Sequence, residues 1–181
     1  CLYTFQVNPQ SVSYQSGWHR TGLTTSTAQS LATSFQISTS NVSLGNVSLV
    51  SGKNVTGKIT DGTNPILGAC VQAIKDNGSY WGMWAGSGCT NTSGDFKIRG
   101  LDPTGTYRFR VDVWAGDFKP GYITSESSIQ SNPTGIAALD AVADRDLGTI
   151  VMPTAPSIKG TVYSGSESAG VKEANVCVSA F

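Results

Sequence analysis

Apolar and polar side chains alternate along several short segments in the middle of the chain. Tyr107, Phe109 and Val111 are separated by charged residues, and this period of two is typical of a β-strand with one buried face. Further segments with the same alternation contain Val55, Gly57 and Ile59, and Ala69, Val71 and Ala73. The pattern predicts short strands, each with one side turned towards a core.

Turn-forming sequences separate these predicted strands. Glycine supplies the positive φ that tight reversals need, and proline fixes φ near the value of a turn. The turn sequences are Asp61-Gly62, Asn77-Gly78, Ser93-Gly94 and Pro103-Thr104-Gly105. Short strands joined by such turns are typical of antiparallel β-sandwiches. We therefore predict an all-β fold.

The same sequence blocks occur more than once, in the same order and at nearly constant spacing. Tyr3, Phe5 and Val7 match Tyr107, Phe109 and Val111 at an offset of 104 residues. The other matched blocks are Gly17-Trp18 with Gly121-Tyr122, Leu44-Gly45 with Leu147-Gly148, Val55-Thr56-Gly57 with Ile158-Lys159-Gly160, and Cys70-Val71 with Cys177-Val178. Ordered matches of this kind predict a tandem repeat.

The repeat divides the chain into one complete and two partial modules of about 103 residues. Residues 1–52 correspond to the C-terminal half of a module, residues 53–155 to a complete β-sandwich module, and residues 156–181 to the N-terminal strands of a further module. The terminal parts are too small to bury much apolar surface alone. We expect them to need strands from elsewhere.

Composition and charge narrow the classes of partner. Only 13% of the 181 residues are charged, and 12 basic residues balance 12 acidic ones, so no net field attracts nucleic acid or anionic lipid. No apolar run is long enough to insert into a membrane. The polar residues are mainly Ser, Thr, Asn and Gly, which suits a protein that is secreted, extracellular or displayed on a cell surface.

The four cysteines are Cys1, Cys70, Cys89 and Cys177. None forms a CxxC pair or has zinc-like spacing with the single histidine, His19. Cys70 and Cys89 fall in one module on segments that a sandwich can place side by side, which favours a disulfide; two buried free thiols are the alternative. An inter-subunit disulfide between Cys1 and Cys177 is a further hypothesis.

The ordered set of motifs in residues 53–155 resembles a known family. Its parts are Val55-Thr56-Gly57-Lys58-Ile59, Gly68-Ala69-Cys70-Val71, Thr92-Ser93-Gly94-Asp95-Phe96 and Gly100-Leu101-Asp102-Pro103-Thr104-Gly105. This set resembles the carboxypeptidase regulatory-like domains with a transthyretin-like (prealbumin-like) sandwich, which are related to the B-type repeats of bacterial surface proteins. The resemblance implies a non-catalytic module of a spacer, stalk or assembly unit, without a cofactor.

The incomplete ends suggest how such a unit assembles. We expect strands at the C-terminus to complete the N-terminal half module of a neighbouring copy, which builds a head-to-tail homopolymer. In this hypothesis the donor strands contain Ile158, Val162, Val176, Val178 and Phe181, and the acceptor strand contains Tyr3, Phe5 and Val7. The chain is then a subunit of a filament or surface stalk.

The alternative function is a carbohydrate-binding accessory module of a secreted hydrolase or adhesin. Trp81 and Trp84 are the candidate sugar platform, because an indole face stacks well on a sugar ring. Strand alternation places Trp84 on one face and Trp81 with Met83 on the other, and one of the two sets is expected to face the core.

Five Asn-X-Ser/Thr sequons occur, and their asparagines are Asn41, Asn46, Asn54, Asn77 and Asn91. In a secreted protein they are candidate N-glycosylation sites, which would then face solvent.

The sequence gives little support for catalysis or for metal binding. No aspartate precedes Asp61 and no motif assigns His19 catalytic partners, so it is predicted to be an ordinary loop residue. Asp140, Asp144 and Asp146 lack the alternating spacing of a calcium loop, so we expect no metal site. No catalytic motif is present, and an enzyme is not expected.

Overall fold

The computed structural model describes residues 1–9, 13–38, 41–77, 82–114, 116–124, 127–156, 160–165 and 170–172. Its strands, in chain order, are β1 (Leu2–Tyr3), β2 (Gln6–Val7), β3 (Gly17–Trp18), β4 (Phe35–Gln36), β5 (Lys53–Thr60), β6 (Ala69–Lys75), β7 (Met83–Cys89), β8 (Asp95–Leu101), β9 (Thr106–Val113), β10 (Gly121–Ile123), β11 (Ile129–Gln130), β12 (Leu139–Asp140), β13 (Arg145–Val151), β14 (Tyr163–Ser164) and β15 (Val171–Lys172). A short 3-10 helix spans Gln29–Leu31. The predicted all-β class is confirmed.

Two sheets form a sandwich from residues 53–155. One sheet has the order β11-β10-β9-β6-β7, with β12 also paired to β9, and the other has the order β13-β5-β8. All pairs in these sheets are antiparallel except β13 with β5, which run parallel. This pair is the one departure from the antiparallel pattern predicted from hairpin turns: the first and last strands of the module meet without a hairpin between them.

The core lies between these two sheets and uses the alternating positions predicted from the sequence. The inward residues of β9 and β6 are buried, whereas the residues between them are not. The most deeply buried apolar residues include Val55, Ile59, Ala69, Val71, Ala73, Ile98, Leu101, Tyr107, Phe109, Val111 and Ile150. Burial of one face of each strand therefore supplies the hydrophobic stabilisation of this unit.

Residues 1–52 pair with one another in the same registers as residues 105–155. Tyr3, Gln6 and Val7 occupy the places that Tyr107, Arg110 and Val111 hold in β9. The matching pairs, each at an offset of 104 residues, are Val7–Gly17 and Val111–Gly121, Gln6–Trp18 and Arg110–Tyr122, Tyr3–Phe35 and Tyr107–Leu139, and Trp18–Ser26 and Tyr122–Gln130.

Loop hydrogen bonds follow the same correspondence. The Gln15 amide donates to the Val50 carbonyl at 2.8 Å, and the Lys119 amide donates to the Pro153 carbonyl at 2.9 Å. Isolated bridges join Tyr14 to Ser51 and Phe118 to Thr154. Positions 14, 15, 50 and 51 thus have the backbone partners of positions 118, 119, 153 and 154.

Polar contacts and close backbone packing join residues 1–52 to the complete sandwich. Ser13 Oγ donates to Asn54 Oδ1 at 2.7 Å, while Asn54 donates through its backbone N and its Nδ2 to the Asp144 carboxylate at 2.9 and 3.0 Å. Gly100 has a φ of 74°, and a side chain there would meet the Tyr14 carbonyl. A glycine is needed at this contact, because any Cβ would collide with backbone.

Candidate assembly interface

The first open edge in residues 1–52 belongs to β1 and β2. In the complete module, β9 pairs with β10 and β12 on one side and with β6 on the other. β1 and β2 pair with β4 and β3, the counterparts of β12 and β10, and within the described ranges no strand stands in the place of β6. Their backbone groups on that side are therefore available to another strand.

The side chains along this edge are less buried than their counterparts. Tyr3 is 46% exposed, whereas Tyr107 is 1% exposed. Phe5 and Val7 are half-buried, and the Phe5 ring packs edge-on against Phe35 with centroids 5.8 Å apart. The predicted inward face is thus present but not covered, because the strands that would lie beside and opposite it are missing from this part of the chain.

A second open edge lies at residues 42–48, which correspond to β13. Gly45 and Gly148 occupy matching positions, with φ values of 66° and 71°. β13 is held as a strand by its parallel pairing with β5, whereas residues 42–48 make only a single bridge, from Ser48 to Thr24. Val42 is exposed. A counterpart of β5 would complete this edge.

The predicted donor residues lie mostly outside the described residues. This holds for Ile158, Val176, Val178 and Phe181, and also for Cys177. Val162 is described; it is 37% exposed and directly precedes β14. β14 pairs with β15 through Tyr163 and Lys172, at positions equivalent to those of the Thr60–Pro65 bridge of the complete module.

His19 is fully buried, contrary to the expectation of an ordinary loop residue. Its Nε2 lies 3.1 Å from the Leu44 carbonyl, its ring stacks obliquely on Phe35, and its Nδ1 has no partner among the described residues. The offset of 104 residues places His19 at the position of Ile123, which is a core residue. The match at this offset therefore contained a signal for the burial of His19, although the local sequence did not.

Cys70 and Cys89 form the predicted disulfide. They lie directly opposite each other in β6 and β7, so the bridge ties the edge strand β7 to the sheet. A structural disulfide is consistent with an extracellular protein. Cys1 is an exposed free thiol.

Cys177 lies outside the described residues, so the inter-subunit disulfide between Cys1 and Cys177 stays a prediction.

Trp84 and Met83 were predicted to lie on opposite faces of their strand, with one of the two faces in the core. Both side chains face solvent instead. Trp84 is 65% exposed and Met83 is 62% exposed. For Trp84 the cause is a register shift between β6 and β7, where Ala73 lies opposite Gly86 but Ile74, on the outer face, lies opposite Trp84. The additional residue, Ala85, packs against the core instead. Trp81 lies outside the described residues.

The five predicted glycosylation sites differ in exposure. Asn41, Asn46, Asn77 and Asn91 are exposed. Asn54 is only 8% exposed and its amide is held by Ser13 and Asp144. The expectation of a solvent-facing acceptor is therefore wrong at Asn54, where the side chain joins two parts of the fold.

The three aspartates near β13 have separate structural roles. Asp144 accepts the hydrogen bonds from Asn54, Asp140 pairs with Arg145, and Asp146 accepts a bond from the Gly148 amide. The backbone hydrogen bond from Asn54 is the largest cause of a lowered pKa at Asp144. No group of three metal-binding side chains occurs among the described residues.

Comparisons with known proteins found no matching family model and no matching curated protein. In the described part of the chain, no helix has the length and apolar character needed to cross a bilayer.

Proposed function

We propose that this chain is a structural element of an extracellular array of tandem β-sandwich modules. In this proposal residues 1–52 form a half module that is completed by two strands of a neighbouring copy. The supporting observation is the pairing correspondence at an offset of 104 residues, together with the exposure of Tyr3 where Tyr107 is buried. The resemblance to transthyretin-like sandwich modules supports the same function.

The two missing strands have identifiable sequence counterparts. The open edge of β1 and β2 requires an equivalent of β6, and the edge at residues 42–48 requires an equivalent of β5. Residues 158–162 and 176–181 are similar in sequence to parts of β5 and β6. Strand addition at both edges would pair the free backbone groups and cover Tyr3, Phe5 and Val7, a gain in hydrogen bonding and in apolar burial together.

The geometry of this exchange leads to an open polymer. A copy that receives strands through residues 1–52 and donates them through residues 156–181 uses two different surfaces. Such head-to-tail contacts extend indefinitely unless their rotation closes a ring. We therefore propose a secreted filament or surface stalk whose principal partner is another copy of this chain, with no catalytic role.

Sedimentation velocity tests this function through the acceptor edge. We expect the wild-type chain to form species heavier than the 18.9 kDa monomer, and Tyr3→Asp to return it to monomers, because a carboxylate on the covered face would be buried without a partner. Val142→Asp is the matched control: Val142 is 67% exposed in the complete module and should not change the distribution. A wild-type chain that stays monomeric at every concentration contradicts the proposal.

A further inference from the structure

A polar groove runs between the half module and one edge of the complete sandwich. The outward side chains of Gln6 and Asn8 form one wall, and β7 with β8 forms the other. Its volume of 360 Å³ falls in the range of roughly 300–1,000 Å³ that is typical of small-ligand sites. The groove is therefore large enough for part of an extended ligand.

The wall formed by β7 carries an exposed aromatic platform. Trp84 lines the groove and is 65% exposed. The register shift opposite Ile74 turns it to solvent, while Gly86 and Ser87, also in the lining, add little bulk beside it. An indole face held open beside small residues can stack on a flat apolar surface such as the face of a sugar ring.

The wall formed by β8 carries positive charge. Lys97 and Arg99 line the groove, and neither forms an ion pair within the described part of the structure. Lys97 also acts on Asp144, whose carboxylate is engaged by Asn54, and on the side away from the groove Lys97 and Arg99 line a second pocket with Asp95 and Asp146. No carboxylate is among the described residues that line the groove. The site therefore favours an anionic ligand, and Arg99 offers the bidentate geometry that carboxylates and sulfates prefer.

We propose that this groove binds an acidic polysaccharide. A sugar ring stacks on Trp84, the carboxylate or sulfate groups contact Lys97 and Arg99, and the amides of Gln6 and Asn8 bond to hydroxyl groups. The site combines residues of the half module with residues of the complete sandwich, so it belongs to the junction between modules. It does not depend on strand exchange between copies.

Affinity electrophoresis in gels containing a defined polymer tests this site. The probes are polygalacturonate, dextran sulfate and neutral dextran; the first two distinguish carboxylate from sulfate as the recognised group. We expect retardation by at least one acidic polymer and none by dextran. Trp84→Ala and Arg99→Ala should each weaken retention, by roughly 5- to 10-fold for loss of the stacking contact.

Two control variants outside the groove distinguish binding in the groove from nonspecific electrostatic attraction of the polymer to the protein. Trp114→Ala removes an indole that is 87% exposed and lies outside the groove, and Lys119→Ala removes an exposed cation elsewhere. Both should bind as the wild type does. The proposal is overturned if neither acidic polymer is retained. It is also overturned if Trp84→Ala binds normally while Lys119→Ala and Arg99→Ala are weakened equally, since that result describes charge attraction alone.

Discussion

Residues at matching positions of residues 1–52 and 105–155 differ in burial, which shows how far the burial of a side chain depends on the strands around it. Tyr107 is covered by the second sheet of the sandwich, whereas Tyr3, at the matching position, is nearly half exposed. His19 and Ile123 also match, yet His19 is a buried polar ring whose Nδ1 has no partner in the described part of the chain, and Ile123 is an ordinary core residue. The same backbone register thus accommodates different side chains at equivalent positions.

Asp144 gives a prediction at the scale of one residue. Asp144→Ala removes the acceptor of the Asn54 backbone and side-chain hydrogen bonds, so we expect a lower urea midpoint at pH 7. Asp117→Ala, at an exposed position with no side-chain hydrogen bond in the described part of the chain, should leave the midpoint unchanged.

The pH dependence of this effect follows from the lowered pKa of Asp144. The charged form is the one favoured by the fold, so its contribution is complete above the ordinary value of 3.8 and is lost as the pH falls through the lower folded pKa. The midpoints of wild type and Asp144→Ala should therefore converge in acid. A gap that persists undiminished at pH 2 would rule out the carboxylate as its cause.

At the scale of elements, the alternation of apolar residues predicted the inward faces of the strands, and the positions of the cysteines predicted the disulfide. β5, β6 and β9 have the inward faces expected from their apolar positions, and the cysteines of β6 and β7 meet as proposed. The orientation of Trp84 was not predictable from alternation, because a register shift interrupts the pairing of β7. The parallel pairing of β13 with β5 was also missed, since it joins segments about 90 residues apart that no turn connects.

The disulfide provides the test of how β7 is held. It closes a loop of 19 residues, so Cys70→Ser with Cys89→Ser should lower the free energy of unfolding by about 3 kcal/mol. Urea titration of both proteins, with reductant added in parallel, measures this difference. Reductant should shift the wild type towards the double variant and leave the variant where it is; an unchanged wild type would mean that the bond does not support the fold.

At the scale of the whole molecule, two open edges and two sequence counterparts of the missing strands occur in one chain. The net charge is zero, so copies of the chain do not repel one another as a whole. The strand registers of residues 53–155 also predict which residues of two neighbouring copies should lie opposite each other. Thr149 lies opposite Lys58 in the parallel pair of β13 with β5, and the offset of 103 residues transfers this contact to Asn46 and Thr161.

Cysteine cross-linking at this pair tests strand exchange most directly. Asn46→Cys and Thr161→Cys are introduced together in a chain whose Cys1 and Cys177 are replaced by serine, and the protein is oxidised mildly. Asn46→Cys with Ser164→Cys is the mismatched control, displaced by three residues, or roughly 10 Å along the strand. We predict a reducible ladder of dimers and higher species for the matched pair alone. Monomers only, or the same ladder from the mismatched pair, would contradict the account.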